Sequence, residues 1–325
     1  MLRLMTLLVV LASGPALAQD SKAWLESQEL EATASKSFQE FEAVVARAKD
    51  TKDAAAAAAE ERVVVFRQGK PVWQSSAKDF AQSSERFTLH SLGRDLDGSG
   101  QAQLHFSGFT GGAHCCTTHY VYRLKPQVRR HAVYQAKSVG GTDFIDLPGR
   151  KTPIMISADD STANLFGPYS SSYFPMVVLE VSPKGRFVFA QDLMRTRLPG
   201  MAPPVCGQPA ATANPWLKER CGEFMGAARK ARTAEIQAKL RDIKRERSAD
   251  KIKWEDYVST GVLSAVAGEM NRYAYTGYSA AGMTWLESVW PGNDRVKGAF
   301  LEKLRDSRAK SVFAEDLRIL STDTR

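Results

Sequence analysis

The residues best suited to chemistry lie in one short stretch, GFTGGAHCCTTHY, at positions 108–120. Two cysteines stand side by side there, with His114 directly before them and His119 three residues after them. Zn²⁺ and copper accept imidazole and thiolate ligands, and a thiolate beside an imidazole can act as a nucleophile. Oxidised cysteines form disulfides instead. The stretch therefore allows three interpretations: a metal site, a nucleophile and a disulfide.

The metal interpretation adds a third imidazole from a neighbouring segment. The candidate Zn²⁺ or copper ligands are His105, His114 and His119, which lie close to the two thiols. Their spacing matches no familiar ligand pair, and adjacent cysteines rarely point at one ion. The nucleophile interpretation needs a reduced thiolate, so the compartment of the protein decides between the interpretations.

The first twenty residues, MLRLMTLLVVLASGPALAQD, predict export. Arg3 supplies a positive charge, and residues 4–12 form an apolar run that is too short to span a bilayer. Residues 16–18 then fit the small-x-small pattern of a cleavage site. We expect a signal peptide over 1–18, cleavage after Ala18, and a periplasmic or secreted product.

Export favours disulfides, because an even number of cysteines in an oxidising compartment is typical of them. The four cysteines are Cys115, Cys116, Cys206 and Cys221. One pairing joins the adjacent cysteines in a strained ring, since neighbouring Cα atoms lie ~3.8 Å apart. It leaves the other two to close a loop between themselves. The alternative pairs each adjacent cysteine with one of the distant two, so the connectivity stays open.

A second candidate site is DLDGSGQAQ at 95–103, where short oxygen-bearing side chains alternate with glycines. Such a loop can wrap a hard cation, and Ca²⁺ is the candidate cofactor. Its candidate ligands are Asp95, Asp97, Ser99 and Gln103. The alternative is a turn whose aspartate side chains accept hydrogen bonds from the backbone.

This loop resembles the calcium loop of FG-GAP or VCBS repeats, the blades of integrin-type β-propellers. The pattern of that family is Asp-x-Asp/Asn-x-Asp-Gly-x-x-Asp, followed by a strand. Asp95 and Asp97 match its first two carboxylates, while Ser99 and Gln103 stand at its fifth and ninth positions. The resemblance implies blade-like sheets. A loop with two carboxylates instead of four has lost much of the charge that sets calcium affinity.

Two further similarities extend the resemblance. DLPGRKTPIM at 146–155 aligns with DLDGSGQAQL at 95–104 and keeps only the first aspartate, so the likeness covers roughly residues 85–195. The segment GGAHCC at 111–116 resembles one in exported bacterial proteins and implies no activity.

The elements that must position these residues define an α+β fold. Residues 19–61 have apolar residues at helical spacing and an alanine run, which predict a helical segment. Residues 62–195 carry nine strand-like segments with short connections, which favour antiparallel pairing. Nine strands are too few for a full propeller, so a twisted sandwich or an incomplete propeller is expected.

The chain beyond this β domain is predicted to be helical. Residues 196–213 form a proline-rich linker, and 214–325 form a helical domain. Its first helix, 214–247, carries ten Lys/Arg against five Asp/Glu opposite an apolar stripe. The charged face is either solvated or attracted to an anionic surface such as lipid headgroups.

The most favoured function is a non-enzymatic binding or scaffold module in the cell envelope. The net charge of +8 suits an anionic partner, and export argues against nucleic acid. The loop 159–175 mixes aromatic and hydroxyl side chains, which suits a peptide or a glycan. Its candidate ligand-binding residues are Phe166, Tyr169, Tyr173 and Phe174. An envelope protein is a further candidate partner.

Two other functions stay open: a metal-binding protein that uses the segment 105–119, and a periplasmic hydrolase. No Gly-x-Ser-x-Gly motif or phosphate-binding glycine loop occurs, so the sequence identifies no catalytic residue.

Overall fold

The computed structural model describes residues 18–49, 61–76, 80, 86–112, 116–224, 226–246, 253–290 and 294–322. The predicted leader, apart from Ala18, lies outside the described residues, as do the alanine run at 54–59, His114 and Cys115. The described chain contains three antiparallel sheets of four, four and three strands, preceded by a helix and followed by a series of helices. The predicted α+β class is therefore confirmed.

The first sheet contains four strands in sequence order. The helix α1 (Gln19–Ser27) precedes β1 (Leu30–Phe38), β2 (Phe41–Ala48), β3 (Arg62–Arg67) and β4 (Lys70–Gln74). The two central strands are apolar on both faces: Ala43–Ala46 and Val63–Phe66 are all completely buried. A continuous apolar run of this kind is typical of a strand that is covered on both sides.

The prediction of a helical segment over 19–61 is wrong for residues 30–48, which form β1 and β2, and its part over 50–60 lies outside the described residues. The apolar residues at 38, 41, 44 and 45 belong to a hairpin, in which Phe38 pairs with Phe41 across a turn. Val44 and Val45 pack into different hydrophobic clusters, as successive residues of a strand do. The error arises because the periodicity of a short apolar run does not distinguish a helix from a buried strand.

The other two sheets contain the remaining strands. The second sheet has the order β5 (Arg86–Arg94), β6 (Gln103–Phe109), β7 (Thr117–Arg123) and β8 (Arg129–Lys137), so β8 is an edge strand. The third sheet has β10 (Met176–Val181) between β9 (Met155–Ala158) and β11 (Phe187–Phe189). Together with β3 and β4, these are the nine strands that the sequence predicts within 62–195.

Helices follow the third sheet. They are α2 (Gln191–Met194), α3 (Pro209–Thr212), α4 (Pro215–Gly222), α5 (Gly226–Glu246), α6 (Trp254–Ser259), α7 (Val262–Ala274), α8 (Ser279–Val289), α9 (Asp294–Lys310) and α10 (Ala314–Thr322). The predicted helix 214–247 is two helices, α4 and α5. The side chain of Asn214 caps α4 by accepting a hydrogen bond from the Leu217 N–H. No helix in the described ranges is long and apolar enough to cross a membrane.

The chain forms two compact units. The first contains the described residues up to Arg94, together with Gln101–Gly111 and Tyr120–Arg130. The second contains Asp95–Gly100, the described part of Gly112–His119, and the described residues from His131 onward. The helical part of the second unit has its own apolar core, which includes Leu240, Leu263, Leu286 and Phe300.

A buried ion cluster joins α5 to α7 in the second unit. The Glu269 carboxylate is 2% exposed and accepts hydrogen bonds from Arg229, Arg232 and Arg272. The Arg272 guanidinium lies 4.1 Å from the centre of the Tyr173 ring. A buried carboxylate requires such partners, because an unpaired charge away from water is strongly unfavourable. The cluster thereby fixes the position of the basic helix α5.

Candidate functional site

A pocket of about 550 Å³ opens in the second unit beside the end of β8. Three segments line it: the end of β8, the segment that follows β9, and the end of α9 with the turn after it. The lining residues used below are Tyr134, Gln135, Ala136, Lys137, Asp159, Asp160, Ser161, Leu165, Lys303, Asp306, Lys310, Ser311, Val312 and Phe313. The pocket therefore combines hydroxyl, cationic, acidic and apolar side chains.

Asp159 connects the walls of this pocket. Its side chain is 3% exposed, and its Oδ2 accepts hydrogen bonds from the Tyr275 hydroxyl at 2.6 Å and the Ser311 hydroxyl at 2.5 Å. Its Oδ1 accepts from the Ser161 N–H at 2.8 Å. The donors come from the end of α7, the turn between α9 and α10, and the segment after β9. These hydrogen bonds stabilise the buried charge, so the carboxylate serves to hold the walls together.

Buried tyrosines near the pocket keep their protons. Burial, and secondly the Asp159 charge, raise the pKa of Tyr275 well above its ordinary value. Burial also raises the pKa of Tyr134, although the hydrogen bond with Ser157 opposes this shift. The Tyr134 hydroxyl donates to the Ala158 carbonyl oxygen at 3.0 Å. Both phenols are therefore hydrogen-bond donors at neutral pH.

The rim of the pocket carries three lysines, Lys137, Lys303 and Lys310, and two aspartates, Asp160 and Asp306. Lys137 pairs with Asp160 at 2.9 Å. The Lys303 ammonium lies 5.6 Å from the centre of the Trp254 ring, and Lys310 occupies the last turn of α9. Within the described ranges, neither Lys303 nor Lys310 forms an ion pair with a carboxylate. Both lysines are exposed at the rim, where an anionic ligand can approach them.

The predicted aromatic binding loop, 159–175, contributes to the pocket mainly through its first residues, Asp159, Asp160 and Ser161. Phe166 is 2% exposed and packs 4.9 Å from Phe300, so it is a core residue. Tyr173 lies under the Arg272 guanidinium, and burial raises its pKa to about 12. The rings of Tyr169 and Phe174 pack together at 5.0 Å. All four aromatic side chains thus contact the protein itself, and their role in ligand binding stays a prediction.

The acidic loop at 95–103 is a turn that its own carboxylates stabilise. Asp95 accepts from the backbone N–H groups of Ser99 at 3.1 Å and Gly100 at 2.8 Å. Asp97 also accepts from the Ser99 N–H, and its other oxygen lies 2.8 Å from the His131 Nε2. Gln103, the last candidate ligand, is buried on β6. The geometry matches the backbone-bonded turn, and calcium binding stays a prediction.

The histidine prediction identified one member of a pair. His105 on β6 stacks on His90 of β5 with ring centroids 4.4 Å apart, and a ring nitrogen of each lies within 4.8 Å of the other. His90 also shares a hydrogen bond of 2.8 Å with Ser107. The sequence analysis missed His90 because only the pairing of Ser91 with His105 brings it close. His119 belongs to the second unit, where its ring lies 6.3 Å from the Tyr134 ring.

One disulfide connectivity is now established. Cys206 and Cys221 are bonded to each other, with their Cα atoms 5.6 Å apart. This excludes the alternative in which the adjacent cysteines pair with these two. Cys116 is also disulfide-bonded, and Cys115 lies outside the described residues. The oxidised thiols argue against the nucleophile interpretation, because a disulfide sulfur is not a thiolate.

No protein-family model, curated protein or solved structure matches the chain. The FG-GAP resemblance therefore rests on the sequence motif alone and stays a prediction. Function has to be argued from the chemistry of the site.

We expect Asp159→Asn to destabilise the protein by about 1–3 kcal/mol, because the amide loses the charge and places an N–H group beside a hydroxyl donor. Urea unfolding followed by circular dichroism measures the change. The matched control is Asp160→Asn, whose Lys137 partner has a half-exposed side chain. That substitution should cost at most about 1 kcal/mol. Equal costs for the two variants would contradict the role of Asp159.

Alkaline pH should weaken the fold through Tyr275. Its folded pKa lies above the unfolded value of about 10, so its stabilising contribution is complete below that pH and falls as pH rises further. We expect Tyr275→Phe to reduce the slope of unfolding free energy against pH between about pH 9 and about pH 11. Urea unfolding at several pH values measures this slope. A slope identical to that of the parent protein would refute the assignment.

Proposed function

We propose that the protein is a non-enzymatic binding module of the bacterial envelope, and that its ligand is an acidic peptide in extended conformation. The observation that carries the proposal is the position of the pocket along β8. Residues 134–137, four consecutive residues of this edge strand, all line it. Edge strands bind extended peptides by accepting them as an additional strand.

The four consecutive residues indicate which part of the strand borders the pocket. Side chains along a strand point alternately to opposite faces of the sheet. In β8 this alternation is visible in the burial, because Tyr134 and Ala136 are buried while Gln135 and Lys137 are exposed. A pocket on one face would be lined by alternate residues only. Because all four residues line the pocket, we infer that the pocket follows the edge of β8.

The other side chains of the lining support an acidic and partly apolar peptide. Lys303 and Lys310 line the pocket together with the exposed Asp306, and the two lysines provide positive charge for carboxylates. Val312 is apolar and 74% exposed, whereas Phe313 is buried against Tyr134 of β8. In an extended peptide, alternate side chains point the same way, so acidic and apolar residues in alternation match this lining.

The chemistry of the pocket favours binding over catalysis. Its described lining contains neither histidine nor cysteine, and the buried Asp159 is hydrogen-bonded to protein donors. The envelope location is supported by the leader-like residues 1–18 and by the disulfide between Cys206 and Cys221, which is typical of oxidising compartments.

Fluorescence anisotropy with labelled Asp-Val-Asp-Val-Asp tests the proposal. We expect this peptide to bind and Lys303→Gln/Lys310→Gln to weaken binding about tenfold, through the loss of two ion pairs. The effect should decrease at high salt because salt screens exposed charges. Lys244→Gln on α5, an exposed lysine outside the pocket, is the matched control and should leave affinity unchanged.

Two variant peptides test whether strand addition and negative charge are both needed for binding. The same peptide with N-methylated backbone nitrogens should not bind, because an added strand donates backbone hydrogen bonds. Asn-Val-Asn-Val-Asn should bind more weakly than the acidic form. Equal affinities for these peptides, or binding of oligoglucuronate without binding of any peptide, would overturn the proposal.

Metal binding in the first unit is a second candidate function, and the stacked pair His90 and His105 favours it. Two imidazoles with ring nitrogens within 4.8 Å of each other supply two ligands of the type that Zn²⁺ and copper prefer. The hydrogen bond between His90 and Ser107 would orient the His90 ring.

Elemental analysis tests this second function. We expect stoichiometric zinc or copper in protein that is reloaded after EDTA treatment and then dialysed, and a loss of at least half of it in His90→Gln and His105→Gln. His131→Gln is the control, because that imidazole is paired with Asp97. Metal-free protein after reloading would exclude the site.

A further inference from the structure

A second cavity, also of about 550 Å³, lies on the exposed side of α5 in the second unit. We call it the α5 cavity. Among the described residues, it shares no lining residue with the pocket at β8. A volume of this size is within the usual range of about 300–1,000 Å³ for sites that bind small molecules. The two cavities can therefore be tested separately.

One side of the α5 cavity is apolar. Met201, Phe224 and Trp285 come from three separate segments and meet at this place. Met201 is 46% exposed, and Trp285 is partly exposed. Single exposed apolar residues are normal on protein surfaces, but several that meet in one concave site indicate an apolar ligand.

The other side is cationic. Lys230 is exposed, and it forms no ion pair within the part of the chain that the structure describes. Arg229 also lines the cavity, but its charge is shared with Glu269 at 3.3 Å and with the Tyr273 ring at 4.9 Å. The helix α5 carries seven Lys/Arg against three Asp/Glu. A ligand with an anionic group would therefore place it beside Lys230.

We infer that the α5 cavity binds a small anionic amphiphile, a medium-length aliphatic chain with a terminal carboxylate. The chain would contact Met201, Phe224 and the Trp285 ring. The carboxylate would pair with Lys230. One molecule then makes both the apolar contacts and the charge pairing. A purely polar ligand would lack the apolar contacts, and a purely aliphatic ligand would lack the charge.

The disulfide gives this cavity a covalent support. Cys206 lies five residues after Met201, and Cys221 lies three residues before Phe224. The bond thus links the segment that carries Met201 to the helix that precedes Phe224. Loss of the bond should weaken ligand binding, because these two side chains then lose their fixed separation.

Titration calorimetry with sodium decanoate below its micelle concentration tests the inference. We expect decanoate to bind one site on the full chain, and decanamide, which has the same chain without the charge, to bind about tenfold more weakly. Lys230→Gln should weaken decanoate binding about tenfold and leave decanamide binding unchanged, because only the carboxylate pairs with that charge. Met201→Ala should weaken the binding of both ligands, because it removes an apolar contact that they share.

Lys244→Gln, a variant of an exposed lysine on the same helix, is the matched control and should bind decanoate like the parent protein. Cys206→Ala/Cys221→Ala should bind less tightly in a folded protein. Equal binding of decanamide and decanoate, or unchanged decanoate binding in both Met201→Ala and Lys230→Gln, overturns the inference. Binding only to phosphatidylglycerol vesicles, unaffected by Met201→Ala, would assign α5 to membranes instead. Decanoate should not compete with the acidic peptide, because the two ligands occupy different cavities. A negative result for one cavity therefore leaves the proposal for the other intact.

Discussion

The buried carboxylate of Asp159 is the interaction on which the architecture around the β8 pocket depends. It lies directly after β9, and its donors come from the end of α7 and from the turn between α9 and α10. A carboxylate loses its hydration on burial, and only a full set of hydrogen-bond donors compensates that loss. Tyr275 and Ser311 must therefore meet Asp159, and their helices are held beside the third sheet as a result.

The need to pair buried charges divides the charged residues of the second unit into two groups, those that are buried and paired and those that are exposed to solvent. Glu269 neutralises arginines of α5 and α7 inside the molecule, and Asp159 is satisfied by hydroxyl and backbone donors. The lysines at positions 230, 303 and 310 are exposed on α5 and α9. Buried charges thus fix the helices, while the exposed ones provide the positive potential at the two cavities. In the proposed function, ligand binding would use the exposed charges, and stability would use the buried ones.

Much of the fold was predictable because it depends on local patterns. Nine strands between 62 and 189 follow from alternating β-branched and aromatic residues between turn residues, and the start of α4 follows from Asn214 and Pro215. The N-terminal error had a physical cause: Phe41, Val44 and Val45 fit a helix by spacing, yet their burial on both faces requires a sheet. Spacing alone does not report how many faces are covered.

The candidate site was predictable only in part. The sequence identified the loop that begins at Asp159, but selected its aromatic residues, of which Phe166 is in the core. It identified His105 but not His90, since the two are joined by strand register and not by sequence spacing. It left the partner of Cys206 open, because chain length between cysteines does not determine which sulfurs meet.

The sequence by itself determined the α+β class, most strands, and an even set of cysteines suited to an oxidising compartment. Tertiary structure alone decided that Tyr275 and Ser311 meet Asp159, 116 and 152 residues away along the chain. It also decided that Lys303 and Lys310 line the same pocket as residues 134–137 of β8. The reason is that secondary structure follows from the spacing of neighbouring residues, whereas a site joins distant residues that packing and buried charge bring together.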